Sequence, residues 1–91
     1  MKFHSTPSFA RYFKKLDQNK KEIVRDAIRN LLDLYNTGFN PKGLGLKQLR
    51  RDLWEIRASL QQRILFSIAG DTIHFVLVGN HDEVKKFLKN V

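Results

Sequence analysis

The spacing of hydrophobic residues predicts two helices in the first half of the chain. Apolar side chains recur there every three or four residues, which places them on one face of a helix. A short helix is predicted to begin at Thr6-Pro7, because threonine caps helices well and proline suits the first helical position. A longer helix is predicted from Gln18 to about Asn36, with an apolar stripe of Ile23, Val24, Ala27, Ile28, Leu31, Leu32 and Tyr35. Two consecutive amphipathic helices with a short join predict a helical hairpin.

Residues 38 to 47 carry three glycines and one proline, so they predict a loop. Gly38 suits the left-handed backbone conformation that often ends a helix. A phosphate-binding glycine loop is disfavoured here, because the segment lacks the Gly-Lys-Ser/Thr ending and opens no helix.

In the second half of the chain the hydrophobic period shortens to two residues, which is typical of β-strands. Three strands are predicted, over Leu53–Ala58, Arg63–Ala69 and Thr72–Gly79. Gly70-Asp71 predicts a two-residue hairpin turn. That turn would pair Ile68 with Ile73, Phe66 with Phe75, and Ile64 with Leu77, and we expect this apolar set to lie against the helices. The last strand is apolar on both faces, which predicts an interior position in the sheet.

The two ends of the chain complete the predicted fold. Residues 2 to 5 suit a short strand, and Asn80 with Glu83 resembles a capping box that begins a final helix. The predicted order is β-α-α-β-β-β-α. We therefore expect one α+β domain over residues 1–91, with the helical hairpin and the C-terminal helix packed on a small, mainly antiparallel sheet.

The charge balance points to a polyanionic partner. Seventeen lysines and arginines against nine acidic residues give a formal net charge of +8. A surplus of this size repels itself in a compact fold, so it favours a nucleic-acid partner first, and an acidic protein or an anionic membrane surface next. Solubility alone is the alternative explanation, although it requires a smaller imbalance.

Several classes of protein and of site are excluded or disfavoured by what the sequence lacks. It has no cysteine, so disulfides, thiolate catalysis and cysteine metal sites are excluded. No apolar run approaches the roughly 20 residues of a membrane span, and the first five residues do not resemble a signal peptide. A cytoplasmic location is the resulting expectation, with no membrane partner.

The densest basic segment contains the first candidate site. Six cations and two acids lie between Lys42 and Arg63. In the simplest hairpin register Arg57 lies directly opposite Arg63, and opposed like charges are unfavourable. Such a pair is explained either by an anion held between the two guanidinium groups or by partial neutralisation by Glu55. A solvated polar face is the equally weighted alternative.

His81 is the second candidate, since it is predicted at the N-terminus of the final helix. Free backbone N–H groups and the helix dipole favour an anion at that position, and a histidine there can transfer a proton. An ordinary surface histidine is the alternative. His4 and His74 do not predict a metal site by their spacing, and Asp82-Glu83 is better explained by helix capping than by metal binding. No metal or other cofactor is predicted.

Three segments together resemble the RelE-like branch of the RelE/ParE toxins. They are Leu53-Trp54-Glu55-Ile56-Arg57, Arg63-Ile64-Leu65-Phe66, and the stretch from Val78-Gly79-Asn80-His81 to Phe87-Leu88. The preceding Lys47-Gln48-Leu49 and the helical pair extend the resemblance over essentially the whole chain. The motifs are short and mostly apolar, so they speak more strongly for the fold than for an activity.

The resemblance implies the toxin of a type II toxin–antitoxin system, held inactive by a cognate antitoxin. It implies a metal-independent endoribonuclease that cleaves mRNA, typically on the ribosome, by attack of the ribose 2′-hydroxyl on the adjacent phosphate. Arg63 matches a phosphate-stabilising arginine, Arg57 a basic residue of the preceding strand, and His81 a basic residue or histidine after the last strand. We expect these three side chains to surround one pocket sized for a phosphodiester. Charged contacts to the phosphate backbone of the RNA are expected from the side chains of Lys47, Arg50, Arg51 and Lys85.

The chain also departs from the pattern of these toxins. RelE has a lysine where this chain has Glu55, and its C-terminal tyrosine has no tyrosine match, since Phe87 or Lys85 falls near that place. Proton transfer would then fall to His81 and Glu55, or the chemistry would be weak. Two alternatives stay open at this point: a ParE-like toxin that inhibits gyrase without cutting RNA, and a degenerate, inactive homologue.

Overall fold

A computed structural model describes residues 2–39 and 43–90 of the chain. Within these two segments the order of elements is β1 (Lys2–Ser5), α1 (Pro7–Lys14), α2 (Gln18–Thr37), β2 (Lys47–Arg50), β3 (Leu53–Arg57), β4 (Arg63–Ala69), β5 (Thr72–Gly79) and α3 (His81–Lys89). The α+β class and the helical hairpin are confirmed. Part of the predicted loop, Asn40 to Lys42, lies outside the described residues.

Strand β2 was not predicted from the sequence. It has only four residues, Lys-Gln-Leu-Arg, and it pairs antiparallel with β3 at one edge of the sheet. Its sequence contains a single apolar residue, Leu49, so it lacks the alternation by which a strand is recognised. Pairing with β3, rather than any local preference, accounts for its extended conformation.

The strands form one mixed sheet in the order β1-β5-β4-β3-β2. Strand β1 runs parallel to β5, and every other neighbouring pair is antiparallel. Strand β5 therefore lies inside the sheet, as its apolar character on both faces predicted. No helix within residues 2–39 and 43–90 is long and apolar enough to cross a bilayer.

The β4–β5 hairpin confirms two of the three predicted pairs and corrects the third. Ile68 lies opposite Ile73 and Phe66 opposite Phe75, but Ile64 lies opposite Val78 rather than Leu77. A register shift after Phe75 leaves Val76 as an additional residue in β5, so that Leu77 faces Leu65. This is a β-bulge, and it reverses the side to which the following residues point.

The sheet is covered by helices on both faces. The hairpin of α1 and α2 buries Phe9, Val24, Ala27 and Leu31 against one face, together with Ile56, Ile64, Phe66, Ile73, Phe75 and Val78. Leu65 alternates with Ile64 and Phe66, so it points to the opposite face, where it packs with Leu77 and with Val84 of α3. Leu77, expected against the helical hairpin, therefore packs against α3, because the bulge at Val76 shifts the alternation.

The predicted helix boundaries are confirmed by their caps. The Thr6 hydroxyl accepts a hydrogen bond from the backbone N–H of Phe9 and donates one to the carbonyl of Phe75, at 2.9 Å, which ties the start of α1 to β5. Gly38 ends α2 with a left-handed φ of 79°. At α3, the Asn80 side chain accepts from the N–H of Glu83, and the Glu83 carboxylate accepts from the N–H of Asn80.

Gly79 allows α3 to pack closely against the end of β5. A Cβ atom at this position would lie 2.9 Å from Cβ of Glu83 and 3.1 Å from its Oε1. Cβ is attached directly to the backbone of α3, so the helix itself would have to move away from the sheet. The absence of a side chain at residue 79 therefore sets the position of α3 and of His81 at its start.

We predict that Gly79→Ala lowers the free energy of unfolding by about 1–3 kcal/mol, the usual cost of forcing a methyl group into a packed site. Urea denaturation monitored by circular dichroism measures this loss. A Gly70→Ala variant provides the contrast, since a Cβ there meets no atom within 4 Å and is strained only by its φ of 61°. A Gly79→Ala variant as stable as the parent protein would show that α3 is not held at this distance.

Candidate functional site

The predicted site residues of β3 and β4 lie on the sheet face that α3 partly covers. Trp54 and Ile56 pack with the core beneath the helical hairpin, so the alternating Glu55 and Arg57 point to the other side of the strand. Glu55 is paired with Leu65, and Arg57 with Arg63, in the β3–β4 ladder. We call this side of the sheet the α3 face.

The opposition of Arg57 and Arg63 that the sequence predicted is confirmed. Arg57 is exposed, and among the described residues it has no ion-pair partner. The Arg63 side chain is 21% exposed. Two guanidinium groups at directly opposed positions repel each other, so the arrangement favours an anion that both can reach.

Glu55 partly neutralises this pair. It is one of the most deeply buried charged residues, at 6% exposure, and its Oε1 lies 3.5 Å from Nη1 of Arg63. Lys47 of β2 occupies the position opposite Glu55 on its other side. A buried carboxylate is strongly destabilising without a cationic partner, so Glu55 constrains where the Arg63 guanidinium lies. Because a guanidinium has five N–H donors, one contact of this length leaves others for a ligand.

His81 lines a neighbouring cleft of about 370 Å³, together with Lys20, Leu60, Gln61, Gln62, Asn80 and Asp82. It is the first residue of α3 and is exposed. Arg57 lines a different cleft, between α2 and the residues after the loop, with Asp26, Asn30 and Leu44 among its neighbours. Arg63 is adjacent to both clefts along the chain or the sheet. It directly follows Gln62, which lines the His81 cleft, it pairs with Gly79 at the end of β5, and it pairs with Arg57 across the β3–β4 ladder. A single pocket for all three side chains stays a prediction.

Gln62 and Lys20 were missed as candidates from the sequence. Gln62 is 7% exposed, and its Oε1 is buried without a hydrogen-bond partner among the described residues. Its burial follows from a turn in which its backbone N–H is directed at the Ser59 hydroxyl, at 3.2 Å. A glutamine in a polar loop carries no sequence signal of burial, and Lys20 approaches His81 only through the packing of α2.

The four residues expected to bind the RNA backbone have different surroundings. Lys47, Arg51 and Lys85 are exposed on β2, on the β2–β3 turn and on α3, respectively. The Arg50 guanidinium donates a hydrogen bond to the carbonyl of Leu88 in the last turn of α3. A cation at a helix C-terminus stabilises the helix, so Arg50 has a structural role in addition to any contact with a ligand.

The described residues contain no group of three or more histidine, aspartate or glutamate side chains that could together hold a metal ion. Asp82 and Glu83 lie in the first turn of α3, and Glu83 takes part in the capping box, as the sequence indicated. The candidate residues themselves bring guanidinium, ammonium, carboxylate and imidazole groups.

Comparison with known proteins gives matches among solved structures. No protein-family model matches the chain, and no curated protein matches it. A copper-bound point mutant of a toxin from Helicobacter pylori superposes with a TM-score of 0.75 at 18% identity, over 92% of this chain and 98% of the other. A YoeB/ParE toxin from Agrobacterium tumefaciens gives 0.69 at 21% identity, over 89% and 99%.

The toxin of a RelB–RelE antitoxin–toxin complex from Methanococcus jannaschii matches at a TM-score of 0.65 and 18% identity, over 96% of this chain and 98% of the other. At such low identities the comparison establishes the fold, and the superposition covers nearly the whole length of both compared chains. The resemblance seen in the sequence is thus confirmed in three dimensions: this chain has the fold of the RelE/ParE toxins.

Proposed function

We propose that this protein is the toxin of a type II toxin–antitoxin system and acts as a metal-independent endoribonuclease on ribosome-bound mRNA, thereby inhibiting translation. The observation that carries the proposal is the opposition of Arg57 and Arg63 beside the buried Glu55, on a sheet with the RelE/ParE fold. Two cations at directly opposed ladder positions repel each other, and a bound phosphodiester would offset that repulsion.

The proposed reaction needs no group outside the RNA and the protein. The ribose 2′-oxygen forms a bond to the adjacent phosphorus while the bond from phosphorus to the 5′-oxygen breaks. The products are a 2′,3′-cyclic phosphate and a 5′-hydroxyl end. One proton leaves the 2′-hydroxyl and one is delivered to the departing 5′-oxygen, so the protein must accept a proton, donate a proton and stabilise charge on the phosphate.

Arg57 and Arg63 are proposed to stabilise that charge. The phosphate gains negative charge as the fifth oxygen bond forms, and cations already held in position interact with it at little reorganisation cost. Glu55 restricts the Arg63 guanidinium through the contact at 3.5 Å, whereas Arg57 is exposed to solvent and able to close on a bound strand.

Glu55 and His81 are proposed to transfer the protons. A carboxylate beside the phosphate-binding arginine is suited to accept the proton of the 2′-hydroxyl, and an imidazole at the start of α3 is suited to donate one to the leaving oxygen. Phe87 or Lys85 falls near the position of the RelE tyrosine, and Phe87 has no group able to exchange a proton. The acid–base work therefore rests on two residues rather than on a tyrosine.

An antitoxin partner is part of the proposal. RelE from Methanococcus jannaschii and YafQ from E. coli were solved in complexes with the antitoxins RelB and DinJ. The net charge of +8 on this chain favours an acidic partner segment, partly disordered before it binds. A short acidic protein encoded beside this one, which suppresses growth arrest and blocks RNA cleavage when co-expressed, is the expected finding.

Arg57→Ala is predicted to reduce mRNA cleavage by about 10²-fold, the usual effect of removing one group that stabilises transition-state charge. Cleavage is measured by primer extension on mRNA with programmed ribosomes. Arg29→Ala provides the matched control, because it removes the same side chain from the exposed surface of α2, where Arg29 pairs with Asp26 at 2.8 Å. Growth arrest by the parent protein without any RNA cut would overturn the nuclease assignment and indicate a gyrase-directed toxin instead.

Arg63 is tested with lysine rather than alanine. Alanine would leave Glu55 buried without its cation, so lost activity could follow from lost stability alone. Arg63→Lys keeps a positive charge near Glu55 but removes the planar set of N–H donors. We expect a folded protein with cleavage reduced by about tenfold or more. A folded Arg63→Lys variant with full activity would exclude Arg63 from phosphate stabilisation.

Glu55→Gln separates a proton-transfer role from a structural one. Glutamine keeps the shape of the side chain and can still hydrogen-bond, but it cannot accept a proton. We predict a loss of about 10²-fold or more in cleavage rate, with the parent binding affinity for RNA retained. A variant that loses stability yet cleaves at the parent rate, when assayed well below its unfolding temperature, would leave Glu55 as a positioning residue for Arg63.

RNA affinity is predicted to fall steeply with salt. Each phosphate contact made by a lysine or arginine contributes about 0.7 to the slope of log affinity against log salt concentration for single strands. Replacing Lys47, Arg51 or Lys85 by alanine should each lower that slope, whereas Arg29→Ala should not. Fluorescence anisotropy with a labelled oligoribonucleotide over a series of salt concentrations measures it. Equal slopes in all four variants would remove these lysines and arginines from the interface.

A further inference from the structure

Two histidines far apart in the sequence meet on the edge of the sheet. His4 of β1 and His74 of β5 are partner residues in the parallel ladder. Their ring centroids lie 5.5 Å apart, with the ring planes at 70°. His74 alternates with Ile73 and Phe75, which point into the core beneath the helical hairpin, so both imidazoles extend from the other side of the sheet.

We propose that His4 and His74 together bind one transition-metal cation, Zn²⁺ or Cu²⁺. A zinc–imidazole bond is about 2.0–2.1 Å long, so two imidazoles that share an ion at a tetrahedral angle have ring centres roughly 5 Å apart. The observed separation of 5.5 Å is close to that value. Neutral imidazole is a common ligand for both ions, and Cu²⁺ binds nitrogen ligands more tightly than Zn²⁺.

The surroundings make this an open site rather than an enclosed one. His4 is exposed and His74 is half-buried, so an ion can approach both rings from solvent. Ser67 occupies the position opposite His74 on β4, and within the described residues no third histidine or carboxylate completes a cluster. Lys2, two residues before His4, is partly neutralised by Asp71 at 4.0 Å. Water fills the remaining coordination positions, which gives a moderate affinity and an exchangeable ion.

A metal ion bound by both histidines would link the edge strand β1 to the interior strand β5. Strand β1 is exposed along its whole length of four residues and pairs only with β5 within the described part of the chain. The unfolded chain does not hold residues 4 and 74 together, so the ion binds the folded state preferentially and stabilises it. His74 is paired with Ser67, whereas Arg63 is paired with Gly79 at the other end of β5, so the two sites are separated along the strands. The proposed metal site does not depend on any nuclease activity.

The chain provides a matched set of variants, since it has three histidines and only two belong to the pair. Untagged protein is titrated with ZnCl₂ and with CuCl₂ by isothermal calorimetry, with MgCl₂ as the hard cation that imidazole does not bind. We expect one ion per chain, with affinity reduced about tenfold or more in both His4→Ala and His74→Ala, and unchanged in His81→Ala. Zn²⁺ should raise the unfolding temperature of the parent protein and leave that of His74→Ala unchanged.

Three results would overturn the proposal. One is the absence of binding of either ion at millimolar concentration. Another is full affinity in His74→Ala, which would assign the ion to His4 and groups near the chain terminus. The third is lost affinity in His81→Ala. Circular dichroism of each variant, and His4→Gln and His74→Gln as polar replacements, distinguish a lost ligand from a lost fold, because glutamine keeps a polar side chain but offers no imidazole nitrogen.

Discussion

The ion pair between Glu55 and Arg63 constrains the centre of this molecule. A carboxylate at 6% exposure on a sheet strand requires a cation, and Arg63 provides one at 3.5 Å. Arg63 is also the partner of Arg57 across the β3–β4 ladder. The cation that neutralises Glu55 is thus the same residue that lies opposite a second arginine in the ladder. An ion pair with Glu55 needs only one arginine, so the proposed phosphate site depends on Arg57 as the second, exposed guanidinium.

The position of α3 follows from two local features of β5. The bulge at Val76 turns Leu77 toward Val84 and Leu65, which gives α3 an apolar surface to pack on. Gly79 then lets Glu83 approach the strand end more closely than any side chain at residue 79 would allow. His81 is the first residue of α3. The packing of α3 on β5, rather than any interaction of the His81 side chain, therefore places it near Gln62 and Lys20.

Much of the fold could be predicted from the sequence, because it is recorded in local patterns. The caps at Thr6 and Asn80, the turn at Gly70 and the opposition of Arg57 and Arg63 each depend on residues close in sequence, and each is confirmed. The errors arise where pairing with a neighbouring strand decides the outcome and the hydrophobic pattern does not show that pairing. Strand β2 is extended because β3 lies beside it, and Leu77 changes sides because of a bulge that a uniformly apolar strand does not signal. A single pocket for the candidate side chains stays a prediction, because such a pocket depends on tertiary packing and not on residues close in sequence.

The contact of His4 with His74 is another feature that local sequence patterns did not predict. The two lie near opposite ends of the chain, and their spacing alone argued against a metal site. Parallel pairing of β1 with β5 brings them together, although β2, the strand that follows the helical hairpin, lies at the opposite edge of the sheet. A metal there and a phosphate at Arg57 and Arg63 would act on different parts of one sheet: the first would stabilise its edge, and the second would relieve repulsion at its centre. Each ligand would therefore contribute to the stability of this small basic domain independently of the other.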